Sequence, residues 1–355
     1  MTQQEQIARA IGVCSVLALL VIAGFVTSLI LGETNYPLST VIPALLGSSD
    51  ADPTATQIIQ RLRLPVAVCA LLIGANLAAS GVLLQGVMRN PLAAPNIVGV
   101  TAGAGLGATI ILALRPDWIN FLPFAAFLGA FAATLIVYAL SWQPGTGTSP
   151  VRMILAGVAI TAMLSALTTF IMLRHPERIA SVAVWMAGSL NSIDWEATGF
   201  FDPDEESRFI SPLNPDAWRG IGWYTVFVLP LAFLLCKPLD LFALGESRAK
   251  TLGVSVERVR FFAIAAAALL AGAAVSIAGL IGFVGLIIPH AARILVGPKH
   301  FTLLIASTLG GAALLLWADV LTRTAVSTPI PVGIVTALLG GPYFLMLLHR
   351  ARMVR

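Results

Sequence analysis

The chain is a succession of apolar runs, each about 20 residues long, separated by short stretches rich in proline, glycine and charge. A run of that length matches an α-helix crossing a hydrocarbon core about 30 Å thick. No water in that layer can satisfy a backbone N–H or C=O, so each run must close its own hydrogen bonds as a helix. Continuous rather than alternating apolarity argues against a β-barrel. Only 11% of the 355 residues are charged, where a soluble domain carries about 25%. The chain reads as an all-α integral membrane protein with one transmembrane domain over residues 1–355.

Lengths and breakers place ten transmembrane helices near 11–31, 64–86, 97–114, 120–142, 151–173, 220–236, 260–281, 284–296, 303–323 and 331–348. The first run lacks a small-x-small site after it and precedes many further spans, so it reads as a retained helix rather than a signal peptide. The eighth is short, and Gly279, Gly282, Gly285 and Pro289 around it predict broken or re-entrant geometry. Leu38 to Leu46 reads as a further short helix at the interface. With a cytoplasmic N-terminus, thirteen Lys and Arg face the cytoplasm against four acidic residues, and eight arginines face outward against twelve. That asymmetry obeys the positive-inside rule and returns the C-terminus to the cytoplasm.

A weak repeat occurs at an offset of 198 residues, where Gly74, Ala75, Gly81, Pro91, Ala93 and Ala94 fall on Gly272, Ala273, Gly279, Pro289, Ala291 and Ala292. The copies, about 61–175 and 258–350, start an odd number of spans apart and so insert with opposite polarity, as in many transport folds. Chance matching of small residues in apolar helices is the alternative.

One polar stretch, residues 237–260 (KPLDLFALGESRAKTLGVSVERVR), lies between long apolar runs on the cytoplasmic side. It predicts a short amphipathic helix from Leu244 to Leu252, ended by Gly253 at the position that favours glycine. A helix so short is marginal alone in water, which calls for a partner surface. On the opposite side, residues 194–219 contain DPDEES and several prolines, a solvated loop or a docking surface.

Other motifs carry weaker signals. GAGLGA mimics a dinucleotide fingerprint but has no strand before it, so helix packing is the better reading. Cys14, Cys69 and Cys236 lie in apolar runs without metal or disulfide spacing. His290 and Arg293, one turn apart, suit an interfacial or phosphate-facing pair better than a metal site. Asp319 and Arg323 suit an intrahelical ion pair, with Arg323 near enough to the surface to reach outward. Arg61 and Arg63 are interfacial anchors or partners for an acidic surface. No P-loop occurs, so any ATP chemistry belongs to another polypeptide.

Taken together, RLP with GANLAASGVLLQGVMRNPLAAPNIVGVTAGAGLGA, then LDLFALGESRAKTLGVSVERVR, GFVGLIIPHAARILVG, and finally AD, Arg323 and PVGIVTALLGGPYFL resemble the FecCD-like permeases from about residue 10 onward. These are membrane subunits of ABC importers for ferric siderophores, haem and cobalamin. The resemblance implies a ten-helix subunit of a bacterial inner membrane, paired with a second permease subunit as a homo- or heterodimer. It implies two cytoplasmic ATPase subunits holding ATP and Mg, and a periplasmic or lipid-anchored binding protein. No covalent cofactor, resident metal or nucleic acid is expected, and the subunit is not itself an enzyme.

By position, the family's coupling helices match Leu241, Leu244, Gly245, Glu246, Ala249, Leu252 and Gly253. Its cytoplasmic gate matches Asn90 and Leu92, with Thr148, Ser149 and Pro150 as the second element, and its docking arginines match Arg63 and Arg323. The sequence departs from the pattern at Val66 and Ile330, where charged residues are usual, and in a longer acidic loop at 200–214. Small residues Ala156, Gly157, Ala159, Ala162, Ser165 and Ala166 suggest one wall of a passage. A ferric siderophore is the expected cargo, with haem or cobalamin as alternatives. An ion-coupled transporter is disfavoured because mid-span charges are nearly absent, and a purely structural subunit is a third reading.

Overall fold

In a computed structural model of the protein, the apolar runs are helices and the breakers lie between them. The structure describes residues 3–48, 51–145, 147–191, 193–198, 220–325 and 330–353. Helix α1 covers Gln3–Ile30 and α2 covers Leu38–Leu46. Helix α3, Pro53–Gln57, widens into a π-helical segment, Ile58–Arg63, and continues as α4, Leu64–Met88. Next come α5 (Val100–Thr109), α6 (Leu122–Ser141), α7 (Pro150–Arg174) and α8 (Ile179–Met186). The second half holds α9 (Gly222–Phe242), α10 (Glu246–Thr251), α11 (Val256–Ala278), α12 (Val284–Val296), α13 (His300–Thr324) and α14 (Val332–Met353). Among the described residues the only strands are β1, Trp142–Gln143, and β2, Gly147–Thr148, paired antiparallel between α6 and α7.

Seven helices are long and apolar enough to cross a membrane: Gln4–Ile30, Pro53–Met88, Pro116–Ser141, Pro150–Arg174, Gly222–Phe242, Val256–Ala278 and His300–Thr324. Three shorter apolar helices, Val100–Leu114, Val284–Val296 and Val332–Met346, occupy the remaining three expected positions. The broken geometry expected near residue 283 is present: Phe283 has φ of 67° and Pro289 lies inside α12. Several boundaries differ from expectation, among them the start of the first span, at Gln4 rather than residue 11. The second span begins eleven residues earlier, at Pro53, and α9 runs on to Phe242 because Leu239 and Phe242 bury one face of its polar end.

Helix α4 is the hub. Its most apolar window is 78% buried, against 17% for α1 and α7, so the latter two lie outermost. It packs on α13, α11, α12 and α9. Close approach comes from small residues, since lipid supplies no hydrophobic force between helices: a methyl group at Gly74 would collide with the Gly311 backbone, and one at Gly103 with Gly129. Polar side chains add ties across the core, with Asn76 Nδ2 donating to Thr225 Oγ1 at 2.8 Å and Ser80 Oγ to the Ala267 carbonyl at 2.8 Å.

The packing repeats in exchange. Helix α4 crosses α13 as α11 crosses α6, α5 packs on α6 as α12 on α13, and α4 meets α12 as α11 meets α5. At the offset of 198, Gly74 faces Gly311 of α13 and Gly272 faces Phe127 and Ala130 of α6, the partners a twofold repeat requires. The next pair diverges: Gly81 meets Gly285, whereas Gly279 is left-handed and lies against the Trp185 carbonyl.

Helix ends sort into two faces. One face joins Arg9 Nη2 to the Ile294 carbonyl at 3.2 Å and His300 Nδ1 to Asp240 Oδ1 at 2.6 Å, and also carries α10. The opposite face joins Trp195 Nε1 to the Gln60 carbonyl at 2.9 Å and carries Arg63 and Arg323.

Candidate functional site

The polar stretch folds as α10, flanked by the end of α9 and the start of α11, so non-helical chain is confined to 243–255. Gly245 opens the helix with φ of 102°, a conformation that side chains resist. At its other end Gly253 N–H donates to the Lys250 carbonyl at 3.0 Å and Val254 N–H to the Ala249 carbonyl at 3.0 Å. With Gly253 at φ of 82° this is a Schellman motif, which satisfies carbonyls the helix leaves open. Ala249 is buried and Leu241 half-buried against the core, while Leu244 and Leu252 are 52% and 60% exposed. The two leucines flank this helix of six residues, Leu244 before it and Leu252 as its C-cap, and both leave apolar surface bare.

Beneath α10 lies Arg260, in the first turns of α11, with none of its surface exposed. Its Nη2 donates to Glu246 Oε1 at 2.6 Å. Its Nη1 donates to the Thr148 carbonyl at 2.7 Å, to Thr148 Oγ1 at 3.0 Å and to Glu257 Oε1. Thr148 completes the circuit, donating to Glu257 Oε2 from Oγ1 at 3.0 Å and from its N–H at 3.3 Å. Two carboxylates and a carbonyl replace the water of its two terminal nitrogens, while Nε has no hydrogen-bond partner among the described residues.

That circuit ties Thr148, on β2, to α10. Ser149 caps α7 by accepting from Arg152 N–H at 3.3 Å, and Pro150 starts the helix where no N–H is needed. Arg152 turns back to the Gly147 carbonyl at 2.5 Å and to Gln143 Oε1, fixing the hairpin. A side chain at Gly147, where φ is 69°, would run into the Glu257 carboxylate.

Asn90 uses its side chain locally, Oδ1 accepting from Leu92 N–H at 2.9 Å, in the turn that ends α4. Leu92 lines a cavity of about 530 Å³ with Asn96, Val275, Phe283, Leu286 and Phe344, beside the break between α11 and α12. On the outer surface of α7, Ala159, Ala162, Ser165 and Ala166 are exposed, whereas Gly157 is buried against the Ile97 carbonyl.

At the opposite face both expected docking arginines are engaged within the chain. Arg63 is buried, donating from Nη1 to the carbonyls of Leu29 at 2.8 Å and Ile30 at 2.9 Å and from Nη2 to that of Thr34, with its guanidinium 5.2 Å from the Tyr36 ring centre. It caps the C-terminus of α1, where positive charge meets the negative end of the dipole. Arg323 pairs with Asp319, as the spacing suggests, and donates to Ser28 Oγ at 2.7 Å. Val66 is buried, and Ile330 is half-buried. The acidic stretch 200–214 lies outside the described residues. Among the described residues no group of three or more His, Cys, Asp and Glu could hold a metal ion, and His290 faces Tyr343 edge-on at 6.5 Å.

Sequence reasoning missed Arg260 and Glu257, which it counted only among the charges of the cytoplasmic side. The signal was available as a spacing: Glu257 and Arg260 fall one helical turn apart, and Arg260 occupies a position that the α11 face turns toward apolar neighbours.

Comparison with known proteins accounts for this architecture. The FecCD transport family matches residues 19–202 and 212–350. The Fe(3+)-citrate import system permease protein of Bacillus subtilis is 38% identical over 335 residues, covering 94% of this chain and 93% of the relative. The cobalamin import system permease protein of Halobacterium salinarum is also 38% identical, over 326 residues, with coverages of 91% and 82%. A metal-chelate type ABC transporter solved in an inward-facing conformation superposes with a TM-score of 0.80 at 31% identity, covering 96% of this chain and 99% of its own. The chain belongs to the FecCD transport family, and is a multi-pass membrane protein.

Proposed function

We propose that this chain is the permease subunit of an ABC importer that carries a bulky metal chelate, of the ferric siderophore or ferric citrate class, into the cell. The observation that carries the reading is α10 with its bare Leu244 and Leu252, a small rigid helix mounted on the bundle and open to a partner. ATP and Mg would reside on two separate ATPase subunits, each seating one such helix through Leu241, Leu244, Gly245, Glu246, Ala249, Leu252 and Gly253. Closure of the ATPase would move α10 as a rigid body, a transition that packed helices support.

In this reading the chain makes ten spans of the inner membrane, counting the three shorter helices, with both termini cytoplasmic. A second permease subunit would share the passage, with the exposed small residues of α7 and the cavity beside Leu92 on its wall. Asn90, Leu92, Thr148, Ser149 and Pro150 would close it on the cytoplasmic side. A binding protein would dock on the outer face, where Arg63 and Arg323 must exchange an internal contact for an acidic partner. Cobalamin is the second reading for the cargo, since that relative matches as well as the ferric citrate one.

Reconstitution tests both levels. Liposomes carrying the permease, its ATPase and a loaded binding protein should accumulate the chelate only with ATP, and ferric citrate should outcompete cobalamin. Uptake by the permease chain alone would overturn the proposal.

A further inference from the structure

We infer that Arg260 is the joint that passes movement of α10 to the loop ahead of α7, and so is a positioning residue for the transport cycle. The inference rests on the permease reading. Three observations carry it. Arg260 sends Nη2 to Glu246 on α10 and Nη1 to Thr148 on β2, so one planar group holds partners on two elements that pack chiefly on others: α10 on α9 and α11, β2 on β1. Burial is complete, so the guanidinium has no water to exchange for a lost partner and must move with those it has. The loop fits closely, because the Glu257 carboxylate that braces Nη1 also fills the space a side chain at Gly147 would need.

The rigid fork is what makes this a joint. Its two nitrogens point in fixed directions, so a displacement of Glu246 turns the plane and pulls on the Thr148 carbonyl. A lysine ammonium is a single point on a flexible stem and cannot hold both directions at once. The hydroxyl of Thr148 accepts from Arg260 and donates to Glu257, so the loop is held by two neighbours rather than one.

The test uses the whole complex, permease with its ATPase subunits in nanodiscs. A reporter cysteine replaces Val151, which is 66% exposed in the first turn of α7, in a chain whose native cysteines are changed to serine. Maleimide labelling is timed with and without Mg-ATP. The expected result is a several-fold ATP-dependent change in the native chain that falls to nearly none in Arg260→Lys, although the ATPase still copurifies. Glu246→Ala, which removes the acceptor on α10 and leaves the Thr148 contacts of Arg260 in place, should lose the response in the same way and carries the test if Arg260→Lys does not assemble. An undiminished response in either assembled variant overturns the joint while leaving the permease reading intact. A native chain that recruits no ATPase overturns both.

Discussion

Arg260 and Arg63 are both buried arginines near a helix end, yet they are used in opposite ways. Arg63 gives its donors to carbonyls of Leu29, Ile30 and Thr34, all in one stretch where α1 ends. Arg260 gives its donors to carboxylates and a carbonyl on separate elements, one of them an exposed helix of six residues. The first arrangement makes one part stiff. The second makes two parts move together. Burial and charge are the same in both, so the identity and placement of the acceptors decide which role an arginine takes.

That contrast can be broken at its strongest point first. Arg260→Met leaves Glu246 and Glu257 facing one another without a cation, and it should lower the stability of the purified complex by about 2 kcal/mol, read as a drop in the thermal midpoint. The figure is discounted because both carboxylates keep more than a third of their side-chain surface in water. Arg63→Met removes contacts that water near the interface can partly replace, so the same melt should move by a smaller amount, about 1 kcal/mol. Equal losses at the two sites would erase the distinction drawn here.

Gly253→Ala tests the frame around α10. An alanine forced to φ of 82° should cost about 1 kcal/mol, with fraying of α10 visible as faster amide exchange at residues 246–252. Smallest in stability are Leu244→Ser and Leu252→Ser, since both side chains are already exposed and such changes stay within about 0.5 kcal/mol. Their effect should appear elsewhere, as loss of ATPase copurification. If ATPase recovery is unchanged in the double variant, the leucines are not the seat.

The bundle was legible because apolar run length is a direct consequence of the bilayer, and every expected run folded as a helix. Boundaries were less so. Pro238, Lys237 and Asp240 look like the end of a span, but α9 continues through them because Leu239 and Phe242 are buried on its inner face. The π-helical segment Ile58–Arg63 hides the start of the second span in the same manner, since Arg61 and Arg63 read as a surface. Within the candidate site, α10 and its capping glycine could be read locally from LGESRAKTLG. Arg260 could be read only in part: its pairing with Glu257 is a one-turn spacing, but its contact with Thr148, 112 residues away in sequence, is not local. The contacts of Arg63 were hidden for a related reason: only the fold brings the end of α1 within its reach.

A photo-crosslinker placed at Ser247, on the exposed side of α10, offers the most direct test of the account. It should form its adduct with the ATPase subunit in the assembled complex, and the same position carrying a cysteine should resist a membrane-impermeant maleimide in intact cells. Labelling from outside the cell, or an adduct with the binding protein instead, would contradict it.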